Sequence, residues 1–243
     1  MLSRAPTCQF SERMTQTMQL KSTAQVLEQI KFESRPVIGG HIHLRVDKTR
    51  RTRRVNLEPF LLAQYAVTHE VYALSGHAYP PELANHPITD VSWFDAIDFC
   101  NLLSQISALE PCYTIHSAEV VEFHAARNGY RLPTEAEWQW ACMAGTTAPK
   151  DLDASAWYLN NSSDSPHAVG QKQPNDWGLY DMIGNVWEWC WDLFDSETYG
   201  TYRVFRGGGW LDAAHACRAS SRRKSHPTFK IDDLGFRLAR SHP

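Results

Sequence analysis

The chain has no apolar run approaching the roughly 20 residues that a membrane-spanning helix needs, so no span is expected. It has no surplus of one charge: 24 basic and 27 acidic residues leave a formal net charge of −3, which argues against nucleic acid as a partner of the whole surface. Its six cysteines, at 8, 100, 112, 142, 190 and 217, form neither a C-x-x-C pair nor a Cys/His set with zinc-finger spacing, so no structural zinc site is expected. At 243 residues and 43% hydrophobic content the chain does not need disulfide staples, and free thiols are the expectation. The N-terminal stretch is polar throughout and lacks the apolar centre of a secretory signal, which makes a cytoplasmic location the default. No repeat of solenoid length is present. One core of this size buries about 70–75% of the unfolded surface, enough for a single domain.

Helix signals are clear at four places. Val26, Leu27 and Ile30 share a face over Ser22–Ile30 within an N-terminal extension, residues 1–34. "VTHEVYALSG" predicts a short helix capped by Thr68 and stopped by Gly76. In "SWFDAIDFCNLLSQIS", Ser92 and Asp95 form a capping box, and the periodic Ile97, Cys100, Leu103 and Ile106 put Cys100 in the core. "PTEAEWQWACMAG" runs from the Thr134 cap and Glu137 to Gly145. "RPVIGGHIHLRV" reads as one strand with His41 and His43 on one face; the pair can chelate a metal, but a solvated strand face is the simpler account. "CYTIHSAEVVEFHAARNGYRLP" alternates like two short strands around a turn, with His116 and His124 at exposed positions. Between Arg45 and Arg54 the chain carries six basic residues and one acid, a local excess that the net charge hides.

The densest stretch is "PNDWGLYDMIGNVWEWCWD". An extended strand there turns Trp187, Trp189 and Trp191 to one face and a mixed polar set to the other. Glu188 projects from that second face near the "DMIGN" turn, where Asp181 and the carbonyls of Gly184 and Val186 can converge. Two carboxylates with carbonyl oxygens are hard ligands that suit calcium, although two acids near a turn also serve as ordinary loop residues.

Taken together and in this order, "NGYRLPTEAEW", "GLYDMIGNVWEW", "RVFRGGGW" and "DDLGFRLA" resemble the sulfatase-modifying-factor domain of the formylglycine-generating enzymes. The resemblance covers about residues 36–240 and implies an α+β, irregular C-type-lectin-like fold, with the domain set at 35–241. It also implies a structural calcium held by Asp181, Gly184, Val186 and Glu188. The family's oxidases bind copper(I) through two cysteines in G-G-S-x-x-C-x-x-x-x-C. Here the serine is Gly209, the first cysteine is Asp212 and only the second, Cys217, is present. A lone thiolate beside a carboxylate is a poor copper(I) site, so copper-dependent formylglycine formation is not expected.

In "GGGWLDAAHAC", Asp212, His215 and Cys217 are the weak catalytic candidates, with Cys217 read as a packing residue. Iron is left open, since Asp212 and His215 fall short of the three-ligand set that iron chemistry commonly uses. The leading function is a binding module or accessory factor whose groove near Trp187, Gly209, Trp210, Asp212, His215 and Arg222 holds a peptide, protein or other ligand. The alternatives are a metal-dependent oxidase or maturation enzyme, and the variable protein of a diversity-generating retroelement with residues 203–240 as its surface. The basic patch of Arg45, Lys48, Arg50, Arg51, Arg53 and Arg54, extended by Arg222, Arg223 and Lys224 if the fold joins them, points to an acidic protein partner. No aromatic residue interleaves the arginines to stack on bases, as nucleic-acid binding would favour.

Overall fold

The structure, a computed structural model, describes residues 21–46, 51–117, 120–145 and 151–242. Ser22 opens α1 (Thr23–Phe32) by exchanging hydrogen bonds with Gln25. Val26 and Ile30, one turn apart, are buried, so the helix docks on the main core. The stretch expected as one strand is two: β1 (Ser34–Val37) and β2 (Gly40–Val46). The break has a steric cause. A Cβ on Gly39 would lie 2.6 Å from the Leu57 carbonyl, and one on Gly40 would lie 2.6 Å from the Trp140 ring. Glycine lets the chain cross that gap and change partners.

β2 then pairs with β3 (Arg51–Leu57) in a hairpin. Its inward face, Ile42 and Leu44, packs with Ala136, while His41 and His43 stay exposed on the outer face. Of the expected basic patch, Arg45, Arg53 and Arg54 are exposed on these two strands and Arg51 pairs in register with Val46. Lys48 and Arg50 lie outside the described residues.

Next come β4 (Phe60–Ala63), α2 (His69–Tyr72) on its Thr68 cap, and α3 (Trp93–Ile106). The α3 capping box forms as the sequence indicates, and Cys100 is fully buried. A small hairpin, β5 (Tyr113–Ile115) with β6 (Val121–Phe123), leads to β7 (Tyr130–Arg131). In α4 (Glu135–Met143), Glu137 completes the capping box with Thr134 and also holds Arg131 through two 2.7 Å bonds. After the short α5 (Leu152–Ser155), residues 156–186 run without helix or strand. The final third supplies β8 (Trp187–Leu193), α6 (Ser196–Tyr199), β9 (Arg203–Arg206), β10 (Arg222–Ser225), β11 (Leu234–Phe236) and β12 (Ala239–Ser241).

Two four-stranded sheets result, in the orders β1-β4-β12-β7 and β10-β9-β8-β11. The last strand, β12, pairs antiparallel with β4 from the first quarter of the chain, which ties the two ends of the domain together. β8 is central to the second sheet, antiparallel to β9 and parallel to β11.

The expected alternation along β8 fails on one side. Trp187 and Trp189 are buried, but so are Glu188 and Cys190 on the opposite face, because both faces of the strand are covered. Buried indoles need partners for their N–H groups, and several reach across the fold: Trp93 Nε1 donates to the Cys190 carbonyl, Trp189 Nε1 to the Val91 carbonyl, and Trp138 Nε1 to Glu188 Oε2 at 2.7 Å. Arg237, which follows β11 and is fully buried, donates to Glu188 Oε1 at 2.7 Å and Oε2 at 3.0 Å. Its remaining N–H groups reach the carbonyls of Ala63, Gln64 and Tyr180.

Removing one member of a buried pair strands the other charge in a low-dielectric core. Glu188→Leu or Arg237→Met alone is expected to lower the unfolding free energy by about 3–5 kcal/mol in urea titrations, whereas the double variant regains much of the loss. Additive losses in the double variant would contradict this account.

Candidate ligand-binding groove

A groove of about 550 Å³ opens between the β2–β3 hairpin, the N-terminal end of α4 and the segment 215–223. Trp187, first residue of β8, closes its base. The indole N–H donates to Asp212 Oδ2 at 2.6 Å, and the guanidinium of Arg223 lies 4.6 Å over the indole ring. Arg223 also pairs with Asp212 Oδ1 at 2.6 Å, and the Gly209 N–H donates to Oδ2 at 3.0 Å. Asp212 is therefore committed on both oxygens, to an indole, a backbone amide and a guanidinium. It organises the base of the groove from beneath.

Among the described residues the single acid lining the groove is Glu135, and it too is engaged. Arg222 Nε donates to its Oε1 at 2.5 Å and Nη2 to its Oε2 at 3.0 Å, with Arg206 Nη1 at 3.4 Å. Arg206, fully buried, bonds further to Gln139 and the Ala219 carbonyl. Around this network, in which two guanidiniums share one carboxylate, stand exposed Arg45 and His43 from β2, and exposed Arg218 and His215 from the turn before β10. Arg45 and Arg218 pair with no acid among the described residues. The fold thus brings Arg45 of the hairpin to one groove with Arg222 and Arg223, while Arg53 and Arg54 do not line it. Lys224 points elsewhere, its ammonium 4.2 Å over the Tyr199 ring.

Of the six residues expected to bind a ligand, Trp187, His215 and Arg222 line the groove and three do not. Trp210 is buried against Ala66 and Val186, Asp212 lies beneath the indole, and Gly209 is a close-packing position where a Cβ would sit 3.0 Å from the Asp233 carboxylate. His43, Arg45, Arg218 and Arg223 are among the other lining residues. Arg45 and Arg223 stood in the sequence only as charge, and nothing local in the sequence placed His43 or Arg218 beside Trp187.

The three weak catalytic candidates do not converge. Cys217 is buried with Ala156, Tyr158 and Ile183, and burial, then the nearby Asp212 carboxylate, push its thiol up to about 12. Its sulfur sits only 3.0 Å from where a Cβ on Gly208 would be. His215 faces solvent. No group of three or more His, Cys, Asp or Glu able to hold a metal occurs among the described residues.

The expected calcium ligands fare differently from one another. Asp181 is buried in a left-handed conformation (φ 53°); its Oδ2 accepts the Gly170 N–H at 2.8 Å and its Oδ1 has no hydrogen-bond partner. Burial raises this carboxyl to about 6, the mark of an anion lacking compensation. Asp181 therefore fits a hard cation. Glu188 does not, because Arg237 and Trp138 occupy both of its oxygens and the guanidinium already neutralises it.

Residues 29–242 match the family of the sulfatase-modifying factor enzyme 1-like domain. The "Chaperone protein LppX" of Paenibacillus barcinonensis is 30% identical over 231 residues, 78% of this chain and 82% of that protein. The formylglycine-generating enzyme of Mus musculus is 29% identical over 193 residues, 65% of this chain, which spans only 45% of that enzyme's length. Among solved structures, Treponema denticola variable protein 1 superimposes with a TM-score of 0.77 at 30% identity, covering 86% of this chain and 95% of that one. The chain belongs to this family, and its fold is the family's α+β, C-type-lectin-like one.

The burial of Cys217 sets its reactivity, since the thiolate is the reactive form. Iodoacetamide applied to the native protein at neutral pH is expected to leave Cys217 unmodified in peptide maps, with alkylation appearing only in denaturant. Rapid labelling of the folded protein would remove the packing assignment.

Proposed function

We propose that this member of the sulfatase-modifying factor family is a binding module, an accessory factor whose groove holds an acidic segment of a peptide or protein. The observation that carries the reading is the charge arrangement of the groove: its acid, Glu135, is consumed by Arg222 and Arg206, while Arg45 and Arg218 face the opening without a carboxylate partner. Charge-assisted bonds from guanidinium to carboxylate are the strong ones, and Arg offers them in a planar fork. Trp187 and the Arg223 guanidinium stacked on it give the base a rigid platform beneath such a segment. The name of the LppX relative, a chaperone protein, supports a role in handling another polypeptide.

Copper-dependent formylglycine formation is not part of the proposal. The position of the first copper cysteine is Asp212, whose oxygens are spent on Trp187, Gly209 and Arg223, and the remaining thiol is buried and held protonated. The alternative of a metal-dependent maturation enzyme loses its candidate ligands for the same reason. A second reading, a variable binding protein, draws support from the likeness to the Treponema variable protein, and residues 203–240 include Arg218, Arg222, Arg223 and His215 of the groove. A reverse transcriptase gene and template repeat beside this gene would favour it.

A calcium ion held by Asp181 with the carbonyls of Gly184 and Val186, and without Glu188, belongs to the same proposal as a structural element of the loop 181–186. Calcium added to chelator-treated protein is expected to raise the thermal midpoint of wild type and leave Asp181→Asn unaffected. Equal responses would remove the ion from the account.

For the groove, the test is fluorescence anisotropy with a labelled hexaglutamate peptide. Wild type is expected to bind it, more weakly as salt rises, and Arg45→Gln/Arg218→Gln to bind at least about tenfold more weakly at low salt. Both substituted residues are exposed, so the variant keeps its thermal midpoint. Equal affinity for wild type and variant would overturn the proposal.

A further inference from the structure

A second cavity, of about 370 Å³, lies where α1 meets the domain, and its chemistry is opposite to that of the groove. Its lining combines apolar Ile30, Val67, Val71, Val169 and Leu238 with the neutral polar side chains of Gln29, Thr68, Asn85 and Gln171, and Tyr65 adds an aromatic ring. Among the described residues no Lys, Arg, His or Asp lines it. The one acid is Glu33, at the C-terminal end of α1, where the helix carbonyls already present partial negative charge.

Glu33 is half-buried and has no ion-pair partner among the described residues. Its Oε1 accepts a bond from the Gln29 side chain at 3.1 Å. Lys21 pairs with Glu70 at 2.7 Å and Arg35 donates to the neutral Gln64 amide at 2.8 Å; both cations draw the Glu33 pKa down, but neither forms an ion pair with it. Burial raises the Glu33 carboxyl above its ordinary value, and the same burial, with Glu33 beside it, raises the Tyr65 phenol, so Tyr65 stays neutral at physiological pH. A carboxylate kept from water beside an apolar wall is costly unless a cation joins it.

We propose that this cavity is a binding site for a small organic cation, an ammonium group carried on a compact apolar body, with Glu33 as the counter-charge and the Tyr65 ring alongside. The volume lies in the range of small-molecule sites, which are largely apolar with a few placed polar groups. An aromatic ring near an ammonium adds cation–π attraction. The site is independent of the groove and stands whether or not the groove binds an acidic peptide.

The probes are phenethylammonium and its neutral near-isostere 2-phenylethanol, titrated by calorimetry and by ligand-observed NMR at pH 8, where Glu33 is ionised. Wild type is expected to bind the ammonium saturably and at least about tenfold more tightly than the alcohol. Glu33→Gln, which retains shape and the bond to Gln29, is expected to lose that preference while keeping its thermal midpoint. Ala168→Trp, which fills the cavity from its rim, is expected to abolish binding of both probes. Affinity for the ammonium should fall as the pH drops into the raised carboxyl range, as Glu33 takes up its proton. Absence of saturable ammonium binding to wild type, or unchanged preference in Glu33→Gln, would overturn the proposal.

Discussion

Arg237 directs its N–H groups at Glu188 and at the carbonyls of Ala63, Gln64 and Tyr180, all in a region closed to water. The four acceptors come from three parts of the fold: Glu188 from an inner strand of one sheet, Ala63 and Gln64 from the end of a strand in the other, and Tyr180 from the irregular stretch between them. The long run without helix or strand, residues 156–186, has no ladder of its own; backbone bonds to distant segments, such as Tyr180 N–H to the Gln64 carbonyl and Gly184 N–H to the Gly207 carbonyl, hold it together with side-chain donors of this kind. Trp138 brings α4 to the same carboxylate. A buried ion pair is weak as a source of net stability, but its geometry admits few alternatives, and here it sets where the two sheets and the loop meet.

Asp212 repeats that logic at the base of the groove. Its carboxylate is the hub of a small network of indole, amide and guanidinium. Through that network Trp187 and Arg223 are fixed as a platform, and Arg222 is held by Glu135. Arg206 and Arg222 share Glu135 and Arg223 holds Asp212, while Arg45 and Arg218 at the rim pair with no acid among the described residues. The charge proposed for binding is thus carried by residues other than those that hold the groove together.

Two cavities of opposite charge character occur among the described residues. The groove is basic, and the cavity beside α1 has Glu33 as its sole formal charge. Neither is visible in a net charge of −3. The cavity exists only because α1 docks through Val26 and Ile30, so the segment before the first strand contributes a wall as well as burial.

The sequence by itself determined the local elements whose causes are local. Ser22, Thr68, Ser92 and Thr134 cap their helices because the bonds involved span three residues, and the period of Ile97, Cys100 and Leu103 identified a buried face. The motifs in their order identified the family. Other features depend on partners far along the chain. Glu188 read as a metal ligand because nothing near it in sequence announces Arg237, 49 residues on. The single strand expected over "RPVIGGHIHLRV" split because Leu57 and Trp140 crowd Gly39 and Gly40. Asp212 passed for a groove residue until Trp187 and Arg223 claimed its oxygens. Tertiary structure alone decided which charges are spent and which remain, because pairing of buried charge depends on distance through space and not on spacing along the chain.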